Sequence, residues 1–323
     1  MTESLETKIA NTTNQENEIA IGFYNVTKTF KKFVALDNVS FEIKKGQFHG
    51  FVGSNGAGKS TSIRCLLGFY PDTKGKMIIN GIASTDPKSK LKIGYIPEEA
   101  NFPKVLKMRD YLYHFACLSQ IDPKEAKEKI EKYLIKYNMT GKEFEKSPYK
   151  MSSGQKKKVM LIQALINDPD LLILDEPAAN LDPIARNELF SFLKEQNDLG
   201  KTIFISSHIL SELEEYVDSF TVMEKGKVIE STTISNVEKK LEFNWLIVLS
   251  NQKNQERFLE LLSKNKIAYQ INEKAILVAI HNDEVKNNLI TQMAQNNISF
   301  KSFAEYKASL KEIYFSNKNI EKK

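Results

Sequence analysis

Nine residues, GSNGAGKST at 53–61, restrict what this chain can fold into more than any other stretch. They follow QFHGFVG, a short apolar run that ends in glycine and reads as a buried strand, and they precede Ile63, Leu66 and Leu67 at helical spacing. The pattern G-x-x-x-x-G-K-[ST] between a strand and a helix describes a loop whose backbone N–H groups turn inward around phosphate oxygens. Gly53, Ser54, Asn55, Gly56, Ala57, Gly58, Lys59, Ser60 and Thr61 are its candidate binding residues. The helix N-terminus adds its dipole, Lys59 reaches terminal phosphates, and the Ser60 hydroxyl is suited to ligate Mg²⁺.

A strand–loop–helix of this kind needs a sheet around it, and two uniformly apolar runs supply candidates: LLILDEP at 171–177 and TIFISSH at 202–208. Runs without alternation belong to strands covered on both faces, so the expected core is a doubly wound α/β layer. Asp175, at the end of the first run, can complete a magnesium shell. Glu176 beside it is a candidate base for an attacking water. The strand carrying them is expected next to the one feeding the glycine loop. His208 ends the second run, and taken alone it reads equally well as a structural histidine.

Residues 1–20 are polar and aperiodic and are expected to form a disordered tail. Residues 21–235 contain the α/β core, interrupted by a helical stretch at about 103–150, where DPKEAKEKIEKYLIKY opens with an Asp-Pro helix start. After about Val237 the texture becomes Asn- and Lys-rich, and WLIVLS, QERFLELLSKN, KAILVAI, DEVKNNLITQMAQN and ISFKSF predict a β-α-β-α-β unit over 236–323. It carries no catalytic constellation and reads as a regulatory or interaction module. The net charge of +5 on 323 residues demands no nucleic-acid partner. Two cysteines, Cys65 and Cys117, build neither a disulfide framework nor a zinc site. No run approaches the roughly 18 apolar residues of a membrane helix, and the acidic, polar N-terminus is unlike a secretory signal. Any role in membrane transport would then require a partner that spans the bilayer.

MSSGQKKKV at 151–159 offers a second helix start with anion-binding character, through the Ser152 hydroxyl and the Gly154 N–H. Three consecutive lysines fan through about 200° of a helix, so Lys156, Lys157 and Lys158 form no single stripe and are expected to be mostly solvated. Val159, Ile162, Leu165 and Ile166 form the buried face.

The order Gly53 to Thr61, MSSGQ, LLILDEP, Asp182 in NLDP and His208 resembles an ATP-binding cassette (ABC) ATPase domain of the P-loop NTPase class, over roughly residues 21–235. The resemblance implies ATP and Mg²⁺ as cofactors. It makes MSSGQ, with Ser152, Gly154 and Gln155, the signature that closes over nucleotide bound by a second ATP-binding subunit, in a homo- or heterodimer packed head to tail. By the same resemblance Glu176 is the catalytic glutamate, His208 a switch histidine near the γ-phosphate, Asp182 part of a loop communicating across the dimer, and Phe30 the aromatic that stacks on adenine. A core role for Phe30 stays open. Ser153 replaces the first signature glycine. Glu98, in IGYIPEE, replaces a glutamine that senses magnesium; a carboxylate can still ligate the ion but adds negative charge beside the phosphates.

IGYIPEE, NLDP and a tail ending in SLKEIYF resemble exporters whose ATPase and transmembrane permease are separate chains, which implies a peripheral location on the cytoplasmic face of the membrane. NFPKVLKMRDYLYHF would be the docking segment; its Tyr111, Tyr113 and Phe115 serve equally well as local core. The alternative readings are a soluble ABC ATPase acting on ribosomes or nucleic acid, and a regulatory module that does not hydrolyse ATP. The single uninterrupted cassette argues against the first, and the presence of both Glu176 and His208 against the second.

Overall fold

Alternation in IAIGFYNVTKTF and FVALDNVSFEIK produces two long paired strands, β1 (Ile19–Phe30) and β2 (Phe33–Lys44). The computed structural model describes residues 18–99, 101–240, 243–272 and 275–306. The expected tail of 1–20 is therefore corrected at its end: β1 already begins at Ile19, and Ile19 and Ala20 are buried. Residues 1–17 and the SLKEIYF segment lie outside the described residues.

Next come β3 (Phe48–Gly53), α1 (Lys59–Leu66), β4 (Lys74–Ile79), β5 (Ile82–Ala83) and β6 (Ile93–Ile96). They are followed by α2 (Met108–Leu118), α3 (Pro123–Lys136), α4 (Ser153–Leu165), β7 (Leu171–Leu174) and α5 (Pro183–Asp198). The unit closes with β8 (Thr202–Ser207), β9 (Ser219–Glu224) and β10 (Lys227–Thr233). Every residue of β3, β7 and β8 is buried, as their unbroken apolar runs predict.

One sheet has the order β2-β1-β4-β5 and is antiparallel. The other has the order β10-β9-β3-β8-β7-β6, parallel from β9 to β6 with β10 antiparallel at the edge. Here the sequence expectation is corrected. The strand carrying Asp175 and Glu176 does not neighbour β3; β8 lies between them and pairs with both. The carboxylates and Lys59 meet because all three strands point the same way and end on one edge, where α/β sheets bind ligands. Phe41, Phe51, Phe204, Ile63 and Leu66 fill the space between the two sheets and α1.

Helices α2 and α3 pack together, and α4, outside the expected 103–150 span, packs on both. Asp122 caps α3 as the Asp-Pro start predicts, accepting from the Lys124 and Glu125 N–H groups.

Contacts divide the chain into two compact units, one through Ile234 and one from Ser235. The second opens within α6 (Ile234–Lys240) and continues with β11 (Trp245–Leu249), α7 (Gln252–Lys264), β12 (Tyr269–Asn272), β13 (Ala275–Val278), α8 (Asp283–Gln295) and β14 (Phe300–Glu305). The expected β-α-β-α-β order lacks β12. All four residues of that edge strand are exposed, so it carries no burial pattern to read. With it the unit is β-α-β-β-α-β in the order β12-β13-β11-β14, the split β-α-β arrangement. Ile247, Phe258, Leu262, Ile276, Val278 and Met293 form its core. Asn251 and Asn282 cap its two main helices. Among the described residues no helix is long and apolar enough to cross a membrane.

Candidate functional site: a phosphate loop facing two carboxylates

The loop between β3 and α1 is shaped by two glycines, Gly53 and Gly58, at which an added side chain would collide with its surroundings. Gly58, the N-cap of α1, has φ 109°, and a Cβ there would lie 2.9 Å from Leu36 Cδ2 and 3.0 Å from the Ala35 carbonyl oxygen. Gly56 also has positive φ but faces open space. Because Gly58 has no side chain to cap the helix, the first N–H groups of α1 stay available to an anion. Lys59 is buried, and its Nζ donates to the carbonyls of Gly53 at 2.7 Å and Ser54 at 3.3 Å. The ammonium is thereby folded back along its own loop.

The same ammonium lies 3.1 Å from Glu176 Oε1. Glu176 Oε2 is 2.9 Å from His208 Nδ1, so one carboxylate bridges the loop lysine and the histidine. Glu176 has φ 46°, a strained conformation for a non-glycine residue of the kind that collects at functional sites. Its N–H donates to Ser206 Oγ at 2.9 Å, and Ser206 Oγ donates to Asp175 Oδ1 at 2.8 Å. Ser60 Oγ donates to the same Asp175 oxygen at 3.0 Å. Asp175 is fully buried, and its other oxygen, Oδ2, has no hydrogen-bond partner among the described residues. A buried carboxylate oxygen left free beside a serine hydroxyl is the donor set a hard divalent cation takes.

Lys59, Ser60, Asp175, Glu176 and His208 are thus connected by direct contacts. Ser206, absent from the sequence reading, holds both carboxylate positions. Its signal was present: two serines interrupt the apolar run of TIFISSH just where the strand ends.

A family profile described as ABC transporter matches residues 36–179. An ABC transporter ATP-binding protein of Mycoplasma pneumoniae is 44% identical over 242 residues, 75% of this chain and 73% of its own length. This chain belongs to the ABC transporter family, as an ATP-binding protein. It is an ATPase on the P-loop fold. The linearmycin resistance ATP-binding protein LnrL of Bacillus subtilis is 27% identical over 90% of this chain and 96% of its own length. A solved ATP-binding subunit of an ABC transporter superposes with a TM-score of 0.62 at 28% identity, covering 68% of this chain and 92% of that one. A dimeric bacterial ABC transporter cassette superposes at 0.60 with 25% identity, covering 66% and 98%.

The remaining ABC positions fall in three places. Phe30, at the end of β1, is 38% exposed, so it is not enclosed as a core phenylalanine would be. Tyr70 meets it edge-on at 5.0 Å, and the buried Lys28, paired with Asp72, lies 4.9 Å from its ring centre. Ser152 is the N-cap of α4 and forms a reciprocal capping box with Gln155. Ser153, the departure from the ABC signature, donates through Oγ to the Asn180 carbonyl at 3.2 Å. Gly154 follows, half-buried, and a Cβ there would make only an ordinary contact with Ala185 at 3.8 Å. Asp182 caps α5 by accepting from the Ala185 N–H at 2.9 Å. None of the bonds made by Ser152, Ser153 or Gln155 among the described residues reaches the 53–61 loop.

One expectation on α4 is overturned. Lys158 pairs with Glu188 on the surface, but Lys157 is buried, and its Nζ donates to the carbonyls of Glu98 at 2.9 Å and Pro97 at 3.4 Å. Burial pulls its pKa down to about 8, against the opposing pull of Glu98, Asp175 and Glu176. The side chain lies on the face of α4 that looks toward β6, and packing there overrides the outward fan expected of consecutive lysines. Glu98 itself is exposed just past the end of β6.

Proposed function

We propose that this chain is the ATP-hydrolysing subunit of an ABC exporter, working as a head-to-tail dimer on a separate membrane permease. The observation that carries the reading is the bridge from Lys59 through Glu176 to His208, set beside the free Asp175 oxygen. Ser60, Asp175 and Glu98 are the residues that would hold Mg²⁺, which supplies charge neutralisation to the transferring phosphoryl oxygens when bound.

The chain's own residues perform the rest. Phosphate entering the loop competes with Glu176 for the Lys59 ammonium, and the carboxylate freed from that contact takes up a water at the position from which it can accept a proton. His208, bonded to the other carboxylate oxygen, fixes its direction. Lys59 and the N–H groups of α1 then stabilise charge on the phosphoryl group.

The dimer reading is supported by the separation of the two anion-binding helix starts. Among the described residues the side chains of Ser152, Ser153 and Gln155 bond only within the helix start and to Asn180, which supports a role for their outward groups toward nucleotide on a second copy. The dimeric cassette structure and two relatives named for resistance or export, the linearmycin protein and the Nod factor export ATP-binding protein I of Cupriavidus metallidurans, support dimerisation and outward transport. Residues 236–323 serve as an accessory interaction module, and the complex sits on the cytoplasmic face of the membrane.

Glu176→Gln tests the reading. With ATP and Mg²⁺ the variant should bind nucleotide, lose turnover and elute as a dimer on size exclusion. Retention of the parent hydrolysis rate, or a monomer at saturating ATP, would refute it.

A further inference from the structure

Helix α4 has an unexplained second attachment to its own nucleotide site. Near its C-terminal end it lies directly on β6: a Cβ at Gly94 would be 2.5 Å from the Ala164 carbonyl oxygen, so only glycine permits that approach. Near its N-terminal end the buried Lys157 ammonium spans to the carbonyls of Pro97 and Glu98, which continue β6 beyond the sheet. The capping box at Ser152 lies one and a half turns from Lys157 on the same helix. A bond from a charged donor to a buried carbonyl is among the stronger protein hydrogen bonds. Helix α4 and the β6 segment that runs into the 97–98 turn are therefore joined at two points, by close packing at Gly94 and Ala164 and by the Lys157 tie, and only the second reaches the turn.

We propose that Lys157 is a positioning residue for ATP hydrolysis: it locks the 97–98 turn to the signature helix, so that displacement of the helix start moves Glu98 relative to Asp175 and Glu176. The inference rests on the hydrolytic reading of the site above. A side chain without a donor at 157 would leave these two part-buried carbonyls without the ammonium, and the turn would be free to move without the helix. Among the described residues Lys157 makes no hydrogen bond or ion pair with Asp175 or Glu176, although both carboxylates act on its charge at longer range, and the proposed route to turnover passes through Glu98.

The test combines a mechanical readout with a kinetic one. In nucleotide-free protein, Lys157→Met should raise amide hydrogen exchange in peptides covering 93–99 by about tenfold, while peptides covering 202–207, which do not pair with β6, stay unchanged. At saturating ATP and Mg²⁺ it should lower kcat about tenfold and change KM less than threefold. In a Glu98→Ala background the same substitution should lower kcat less than twofold, because its route of action is already removed. Lys157→Arg, which keeps a charged donor, should recover most of the parent rate. An equal loss in both backgrounds, or unchanged exchange at 93–99, overturns the tie. Should Lys157→Met not fold, Lys157→Gln carries the same comparison. A parent protein without ATPase activity would instead refute the hydrolytic reading, whatever the exchange data show.

Discussion

His49 makes the stability of the ATP-binding unit depend on pH by an amount that follows from its surroundings. It lies on β3, 1% exposed, with Nδ1 2.8 Å from Ser219 Oγ and Nε2 2.9 Å from Thr221 Oγ1. A neutral imidazole has one donor and one acceptor, which two hydroxyls satisfy; an imidazolium there would be a buried charge with no counter-ion among these partners. Burial pushes its pKa from 6.5 down to about 3. Between those values the unfolded chain binds a proton that the folded chain does not, so stability is lost as pH falls through 6.5 and the loss levels off near 3. From pH 7 to pH 4 the group costs about 3 kcal/mol, a large share of the 5–15 kcal/mol typical of a domain.

Carboxylates contribute to acid unfolding as well, so the measurement is a difference between His49→Gln, which keeps polar atoms for the hydroxyls, and the parent. Urea unfolding at pH 7, 6, 5 and 4 should show the parent losing about 3 kcal/mol more than the variant over that range. Far-UV circular dichroism is the appropriate probe. The single tryptophan, Trp245, belongs to the C-terminal unit and would report the wrong transition. A stability difference that stays constant with pH, or an NMR titration of His49 with a midpoint near 6.5, would refute the reasoning.

Three further outcomes follow from the site. Phe30→Ala should weaken ATP binding about tenfold with kcat within twofold, read from steady-state kinetics, if the ring stacks on the base as proposed; equal loss of both would favour a packing role against Tyr70 and Lys28. Ser206→Ala leaves Asp175 Oδ1 and the Glu176 N–H each short of a partner, so it should cost about 1–3 kcal/mol in stability and lower kcat more than it raises KM. Gly58→Ala should abolish ATP binding in a calorimetric titration, whereas Gly56→Ala, strained but facing open space, should retain it weakened.

The parts of the site that sequence made legible are those whose function depends on neighbours along the chain. The glycine loop is read from consecutive N–H groups, the α4 start from Ser152 and Gly154 two residues apart, and Asp175 and Glu176 follow their strand directly. Local periodicity also identified β3, β7 and β8, because burial on both faces removes polar residues from a run. Edge strand β12 escaped for the converse reason: no buried face shaped its composition.

Tertiary structure alone decided what crosses between elements. It inserted β8 between the loop strand and the carboxylate strand, and so brought Ser206 to Asp175. It set Tyr70 and Lys28 around Phe30. It also turned Lys157, one of three identical neighbours, inward to the carbonyls of Pro97 and Glu98. Spacing along a helix gives a side chain's direction relative to its own axis, but which direction is buried depends on the surface that the helix packs against, and here that surface is β6, more than fifty residues earlier in the chain.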